Sequence, residues 1–348
     1  MKKIIIPLMI ILAISFISAI NLTTVKKADA DTNTVEIVDS NLRSLLIDTL
    51  SLSTDQITVN DLKQLVELET PNNDPSKKIS NLSGLEYATN LTHLDLNYNK
   101  ITDLTPISNL TKLEYLDISY NNGDVEGTNG ITDLSCLTNL TKLTYFSSIA
   151  NDGVKDYSVV KNFNDLTYLN LSICGIENID FIKDLTALEK LYLAYNKITH
   201  VDALSKLTSL KKLALGNNEI YSIDCLKDLT KLEQFTVENN NLSDVKVVYN
   251  FTSLTKLDVS RNYLTDEAFA ELMEKVTADS VIIMPRKEGT APVDPNPQKP
   301  DTGDNNNGQT ETPKKGGCGC SNQITVNSLL MLLTISGIAV VFKKKGVK

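Results

Sequence analysis

The sequence predicts an α/β solenoid: a leucine-rich-repeat horseshoe of nine coils, parallel strands on the concave face, an N-terminal helical cap and a short C-terminal helix-strand cap. Three observations predict it. The pattern Leu-x-x-Leu-x-Leu-x-x-Asn recurs through the middle of the chain, its usual period is 22 residues, and an asparagine holds the same place in nearly every repeat.

The repeats start at Leu91, Leu113, Leu143, Leu166, Leu188, Leu210, Leu232 and Leu254, and five of the seven spacings are 22 residues. The 30-residue repeat from Leu113 carries its extra residues around Gly123 to Gly130, and the repeat from Leu143 is one residue longer than the rule. A degenerate first coil begins at Leu65, with Leu68, Asn73, Ile79, Leu82 and Leu85 in order. Leu-x-Leu alternation makes a short strand with both leucines inward, and parallel neighbours stack at about 4.8 Å. The column Asn99, Asn121, Asn151, Asn196, Asn218, Asn240 and Asn262 places an amide where the chain leaves the sheet, to pair backbone groups that would otherwise be buried alone. Cys174 takes that place in the remaining coil, which predicts a ladder role and not a reactive thiol.

Outside the repeats the chain divides at its composition changes. Lys2 and Lys3, the apolar run from Ile4 to Ile20 and Ala28-Asp29-Ala30 read as an export signal over residues 1–30, with an uncleaved anchor as the alternative. Residues 31–64 form the cap, with Leu42, Leu45, Leu46 and Leu50 on one helical face, and 65–265 are the repeats. Residues 266–286 supply a second cap, with a helix near Asp266 to Val276 and a strand at Val281 to Met284. A Pro-, Asn- and Gly-rich spacer over 287–323 leads to an uncharged run, 324–342, long enough as a helix to span a ~30 Å hydrocarbon core. The basic tail 343–348 then predicts a cytoplasmic end. Lys299-Pro300-Asp301-Thr302-Gly303 resembles the pentapeptide cut by sortase transpeptidases, with Lys in place of the usual Leu and a longer gap to the span. Retention by the intact helix and processing by a sortase-like enzyme both stay open, as does any role of Cys318 and Cys320.

The 22-residue period, Asn-Leu-Thr-Lys-Leu at 109–113 and 139–143, and Gly84-Leu85-Glu86-Tyr87-Ala88-Thr89-Asn90-Leu91 resemble the internalin family of bacterial surface proteins over roughly residues 35 to 265. The resemblance implies an exported cell-surface protein with a capped repeat domain. The chain departs from the family after the repeats, where a short cap stands in place of the usual immunoglobulin-like domain.

Four positions of each coil point outward on the concave face: the third, fifth, seventh and eighth. The third column runs Glu67, His93, Tyr115, Tyr145, Tyr168, Lys190, Lys212, Gln234, Lys256. The fifth runs Glu69, Asp95, Asp117, Ser147, Asn170, Tyr192, Ala214, Thr236, Asp258, and the eighth adds Tyr98, Tyr120 and Tyr195. Seven of the chain's twelve tyrosines therefore fall on these sites, all in coils two to six, with Ile149 and Ile173 exposed among them. The general preference of tyrosine for strands does not explain that clustering. Aromatic side chains framed by polar ones have the composition of a recognition surface. The candidate ligand-binding residues are accordingly Tyr98, Tyr115, Tyr120, Tyr145, Ile149, Tyr168, Ile173, Tyr192, Tyr195, Lys190 and Lys212, with acidic groups towards the first coils and basic ones towards the last.

A net charge of -9, from 34 basic and 43 acidic residues, gives no footprint for nucleic acid. With two histidines, five cysteines and no nucleophile-base pair, phosphate loop or metal-ligand spacing, neither catalysis, a metal nor a cofactor is expected. The expected role is a cell-surface adhesin or receptor-binding module whose partner is a protein, such as a host receptor or matrix protein. Binding of a carbohydrate or cell-wall polymer on the same face is the alternative, since tyrosine rings can stack on sugar faces.

Overall fold

The structure is a computed structural model that describes residues 33–70, 74–121, 130–276, 280–282, 289, 291–295 and 340–342. Each repeat contributes one three-residue strand: β1 (Glu67–Glu69), β2 (His93–Asp95), β3 (Tyr115–Asp117), β4 (Tyr145–Ser147), β5 (Tyr168–Asn170), β6 (Lys190–Tyr192), β7 (Lys212–Ala214), β8 (Gln234–Thr236) and β9 (Lys256–Asp258). They lie in chain order, each parallel to the next. The strands span the third to the fifth repeat position, with the fourth residue buried and its neighbours outward, because a strand alternates its faces. The register pairs like positions in every coil, so a sequence column is also a spatial one.

On the opposite side of the first eight coils a short 3-10 turn replaces the strand, from Leu85–Tyr87 to Lys246–Asn250. Between the two sides one leucine-rich core runs the length of the solenoid. Phenylalanines fill it at two places: Phe146 meets Phe163, and Phe235 meets Phe251, each edge-on at 5.6 Å.

The asparagine column closes the turn after each strand. Asn196 Oδ1 accepts from the backbone N–H groups of Cys174 and Ile176, both at 3.0 Å, and its Nδ2 donates to the Leu171 and Leu193 carbonyls at 2.8 and 2.9 Å. Asn218, Asn240 and Asn262 repeat this arrangement. Cys174 occupies the same place, its Sγ 3.1 Å from the Ser148 carbonyl. Burial raises its pKa to about 11, which leaves the sulfur an S–H donor in the ladder. Cys136 and Cys225 are half-buried free thiols packed against the core.

At the N-terminal end the cap is two helices where one face had been read, α1 (Ser40–Thr49) and α2 (Val59–Leu62). Leu42 and Leu46 are buried and Leu45 and Leu50 only partly so. Asp39 caps α1 through the Asn41 and Leu42 N–H groups and reaches Ser80 N at 2.8 Å, tying the helix to the first coil. Its carboxyl sits below the ordinary value, because these hydrogen bonds outweigh its desolvation. At the other end α3 (Asp266–Lys275) buries Leu272 over the last coil, and β10 (Ser280–Ile282) extends the sheet parallel to β9.

Residues 1–30, the insertion at 122–129, Cys318, Cys320, the pentapeptide at 299–303 and the basic tail lie outside the described residues. So does the expected span except for Val340–Phe342, which is not helical but forms β11, antiparallel to β10. Among the described residues no helix is long and apolar enough to cross a membrane. The described start of the spacer meets the solenoid: Asp294 Oδ2 lies 3.1 Å from His200 Nε2.

Candidate ligand-binding face

The register turns the third column into a stack of rings. His93 lies on Tyr115 with centroids 3.8 Å apart and planes 12° from parallel, Tyr115 on Tyr145 at 4.0 Å and 13°, and Tyr145 on Tyr168 at 4.1 Å and 10°. Parallel strands about 4.8 Å apart hold flat rings at near contact distance, and identical positions in successive coils give them one direction. Tyr192 sits in the fifth column, so its ring meets Tyr168 tilted by 41° at 5.4 Å and the stack ends there. Lys190 and Lys212 continue the third column beyond it. A second stack is shorter: Tyr98 and Tyr120 of the eighth column lie 4.3 Å apart and 9° from parallel.

Eighth-column residues share an unusual backbone. Tyr98, Tyr120, Ala150, Ile173, Tyr195, Asn217, Asn239 and Arg261 all have φ between 54° and 60°, the left-handed region that non-glycine residues seldom enter. The asparagine that follows each, or Cys174 after Ile173, holds the turn. Left-handed backbone swings the eighth side chain to the rim of the concave face, which is why Tyr98 and Tyr195 are 45% and 47% exposed.

The remaining candidates differ from expectation in exposure. Tyr115, Tyr120, Tyr145, Tyr168 and Tyr192 are half-buried because the stacked rings cover one another, and Ile149 and Ile173 are half-buried too. In the fifth column Asp117, Ser147 and Asn170 are buried, not displayed. Asp117 Oδ1 accepts from Ser119 N at 2.8 Å, and Asp95, Asn170 and Asp258 accept likewise from Asn97, Ser172 and Ser260. These are side-chain-closed turns that shape the exit from each strand. They were missed as such, although Asp-x-Ser, Asp-x-Asn and Asn-x-Ser at the fifth and seventh positions carry the signal.

Electrostatics follow from this packing. Burial raises the Asp95 carboxyl, with the neighbouring charges of Asp117 and Glu69 adding to it, and burial raises Asp117. Burial likewise lifts the phenols of Tyr115, Tyr145 and Tyr192, and Tyr120 to about 12, so these hydroxyls stay neutral. Further along, Glu238 of the seventh column leans over Gly216, where a Cβ would overlap its carboxylate, and Asn217 Nδ2 reaches its Oε1 at 3.4 Å. Its Oε2 is buried without a hydrogen-bond partner, and burial raises the group to about 7. The sequence columns did not single Glu238 out. Among the described residues no group of histidines, cysteines and carboxylates could hold a metal ion.

Models of leucine-rich repeats match residues 89–126, 164–220 and 252–272. Among solved structures, internalin C2 of Listeria monocytogenes is similar at 24% identity over 74% of this chain and 100% of that one, with a TM-score of 0.53. The chain has an internalin-like leucine-rich-repeat fold. A leucine-rich-repeat protein of Leptospira interrogans is also similar, at 20% identity over 64% of this chain and 62% of that one, with a TM-score of 0.50. No curated protein matches the chain in sequence.

Proposed function

We propose that this internalin-like protein is an exported, non-catalytic binding module of the bacterial surface that holds a protein partner on the concave face of coils two to six. The observation that carries the reading is the continuous stack from His93 through Tyr168, flanked by the Tyr98–Tyr120 pair. A purely structural spacer has no use for tyrosines gathered on one stretch of one face. Half-buried rings held in register form a stiff surface that pays little conformational entropy on binding and keeps hydroxyls for directional bonds.

The carbohydrate alternative needs ring faces for a sugar to stack on. Along the third column the faces are occupied by neighbouring rings, so the faces open to a sugar are the outer face of His93, the tilted junction of Tyr168 with Tyr192 and the exposed rim tyrosines Tyr98 and Tyr195. The test is capture by cells displaying the full chain, probed with purified host receptor ectodomains, matrix proteins and a glycan array. A protein ligand lost on joint Tyr145→Ala and Tyr168→Ala substitution supports the reading. Capture that survives both, or of glycans alone, overturns it.

A further inference from the structure

The stacked rings present their edges and hydroxyls to a ligand, so the face offers chiefly acceptor oxygens and little aromatic plane. At the four outward positions of coils one to five there is no lysine or arginine, while Glu67, Glu69 and Asp95 offer carboxylates above a buried Asp117. His93 Nε2, the one basic side chain there, lies 3.6 Å from Glu69. In coils six to nine the balance reverses, with Lys190, Lys212, Lys256 and Arg261 against Glu238 and Asp258. A surface of carboxylates and phenol oxygens is complementary to a group that carries donors and no acceptor, which describes lysine and arginine side chains.

Resting on the proposal that the concave face binds a protein, we infer that its occupant is a basic, extended polypeptide segment laid along the tyrosine ladder of coils two to five, its cationic side chains directed to Glu69 and Asp95. Length agrees with this. The four rings from His93 to Tyr168 span about 12 Å, and an extended chain rising ~3.3 Å per residue sets like-facing side chains about 7 Å apart, so the ladder takes two of them. The lysines of coils six to nine repel a continuation of the same charge, which confines the segment to the first coils.

The experiment titrates the purified full chain with fluorescein-labelled decapeptides of alternating Lys-Ser and Glu-Ser and with a hexasaccharide of β-linked N-acetylglucosamine, read by anisotropy. The Lys-Ser peptide binds, weakens as salt rises from ~50 to ~500 mM, and weakens about tenfold with joint Glu69→Gln and Asp95→Asn. Asp133→Asn with Asp156→Asn makes the same charge change at exposed turn caps away from the strands and shifts binding less than about twofold. Tyr145→Phe keeps the stack, removes one acceptor and weakens binding about threefold. Equal losses for the two acidic pairs, or binding of the Glu-Ser peptide or the sugar in place of Lys-Ser, overturns the inference. The peptide and salt arms need no variant to fold. A protein captured through Tyr145 and Tyr168 yet indifferent to Glu69 and Asp95 overturns this inference alone and leaves the binding face standing.

Discussion

Glu238→Gln should stabilise the protein above neutral pH and leave it nearly unchanged in acid. Glu238 lies over Gly216 with one oxygen near Asn217 Nδ2 and the other buried without a partner. Desolvation is the largest cause of its raised pKa. Its own backbone N–H, Lys256 and Arg261 oppose the shift, and Asp258 adds to it. The group rises from an ordinary 4.5 to about 7, so folding favours its protonated form. That stabilisation is complete below pH 4.5 and is lost as pH rises through 7. At 1.36 kcal/mol per unit the cost of ionising it is about 3 kcal/mol at most, and partial solvent contact reduces this to roughly 1–3 kcal/mol. Glutamine reproduces the neutral acid and escapes the cost. At ~2–4 °C per kcal/mol the variant should melt about 2–12 °C above the parent at pH 8 and by a much smaller margin at pH 5. Circular dichroism melts of both proteins at both pH values measure the difference, and other titrating groups cancel because the two chains share them. Equal shifts at pH 5 and pH 8, or a loss of stability at pH 8, would refute the argument.

Other consequences follow from single contacts. Asn196→Ala leaves the Cys174 and Ile176 N–H groups and the Leu171 carbonyl buried and unpaired, while the Leu193 carbonyl keeps Asn218 Nδ2, and should cost about 2–4 kcal/mol in a urea titration, where a loss under 1 kcal/mol contradicts the ladder. Gly216→Ala forces the Glu238 carboxylate aside and should destabilise by about 1–3 kcal/mol, with most of that loss relieved in the Glu238→Ala background. Iodoacetamide at pH 8 should label Cys136 well before Cys225, whose pKa burial pushes to about 12, and Cys174 last, as read by mass spectrometry of the folded protein. Tyr145→Ala removes two stacked contacts at once and should destabilise more than Tyr98→Ala, which removes one at an exposed rim, by about 1 kcal/mol in parallel melts.

The strands were legible because the repeat is rigid. Once Leu116, Phe146 and Leu169 are aligned as fourth-position residues, Tyr115, Tyr145 and Tyr168 must pair across neighbouring strands, and they do. The amide column was legible for the same reason, down to Cys174. Less legible was what the outward residues do to one another. A column shows that four rings are neighbours, while the angle of each ring depends on packing, so the sequence could not say whether faces or edges meet the solvent. Asp117 and Asn170 were misjudged because alternation assigns them outward and takes no account of the turns their side chains close, where both are buried. Glu238 escaped notice because its environment comes from Gly216, a residue of the preceding coil at the same position.

The stack also bears on how the face can bind. Tyr115 and Tyr145 are each fixed by their strand and by a stacked ring on either side, and the rim residues are fixed by a left-handed turn that the asparagine ladder secures from within the core. A ligand therefore meets a surface that is already formed, and its affinity need not offset the ordering of loose tyrosines. The cost of this stiffness is that the rings cannot turn a face outward without breaking a stacked pair worth about 0.5–1.5 kcal/mol. Selection among partners then falls to charge and hydroxyl placement, which are the features that differ most between the acidic first coils and the lysine-bearing later ones.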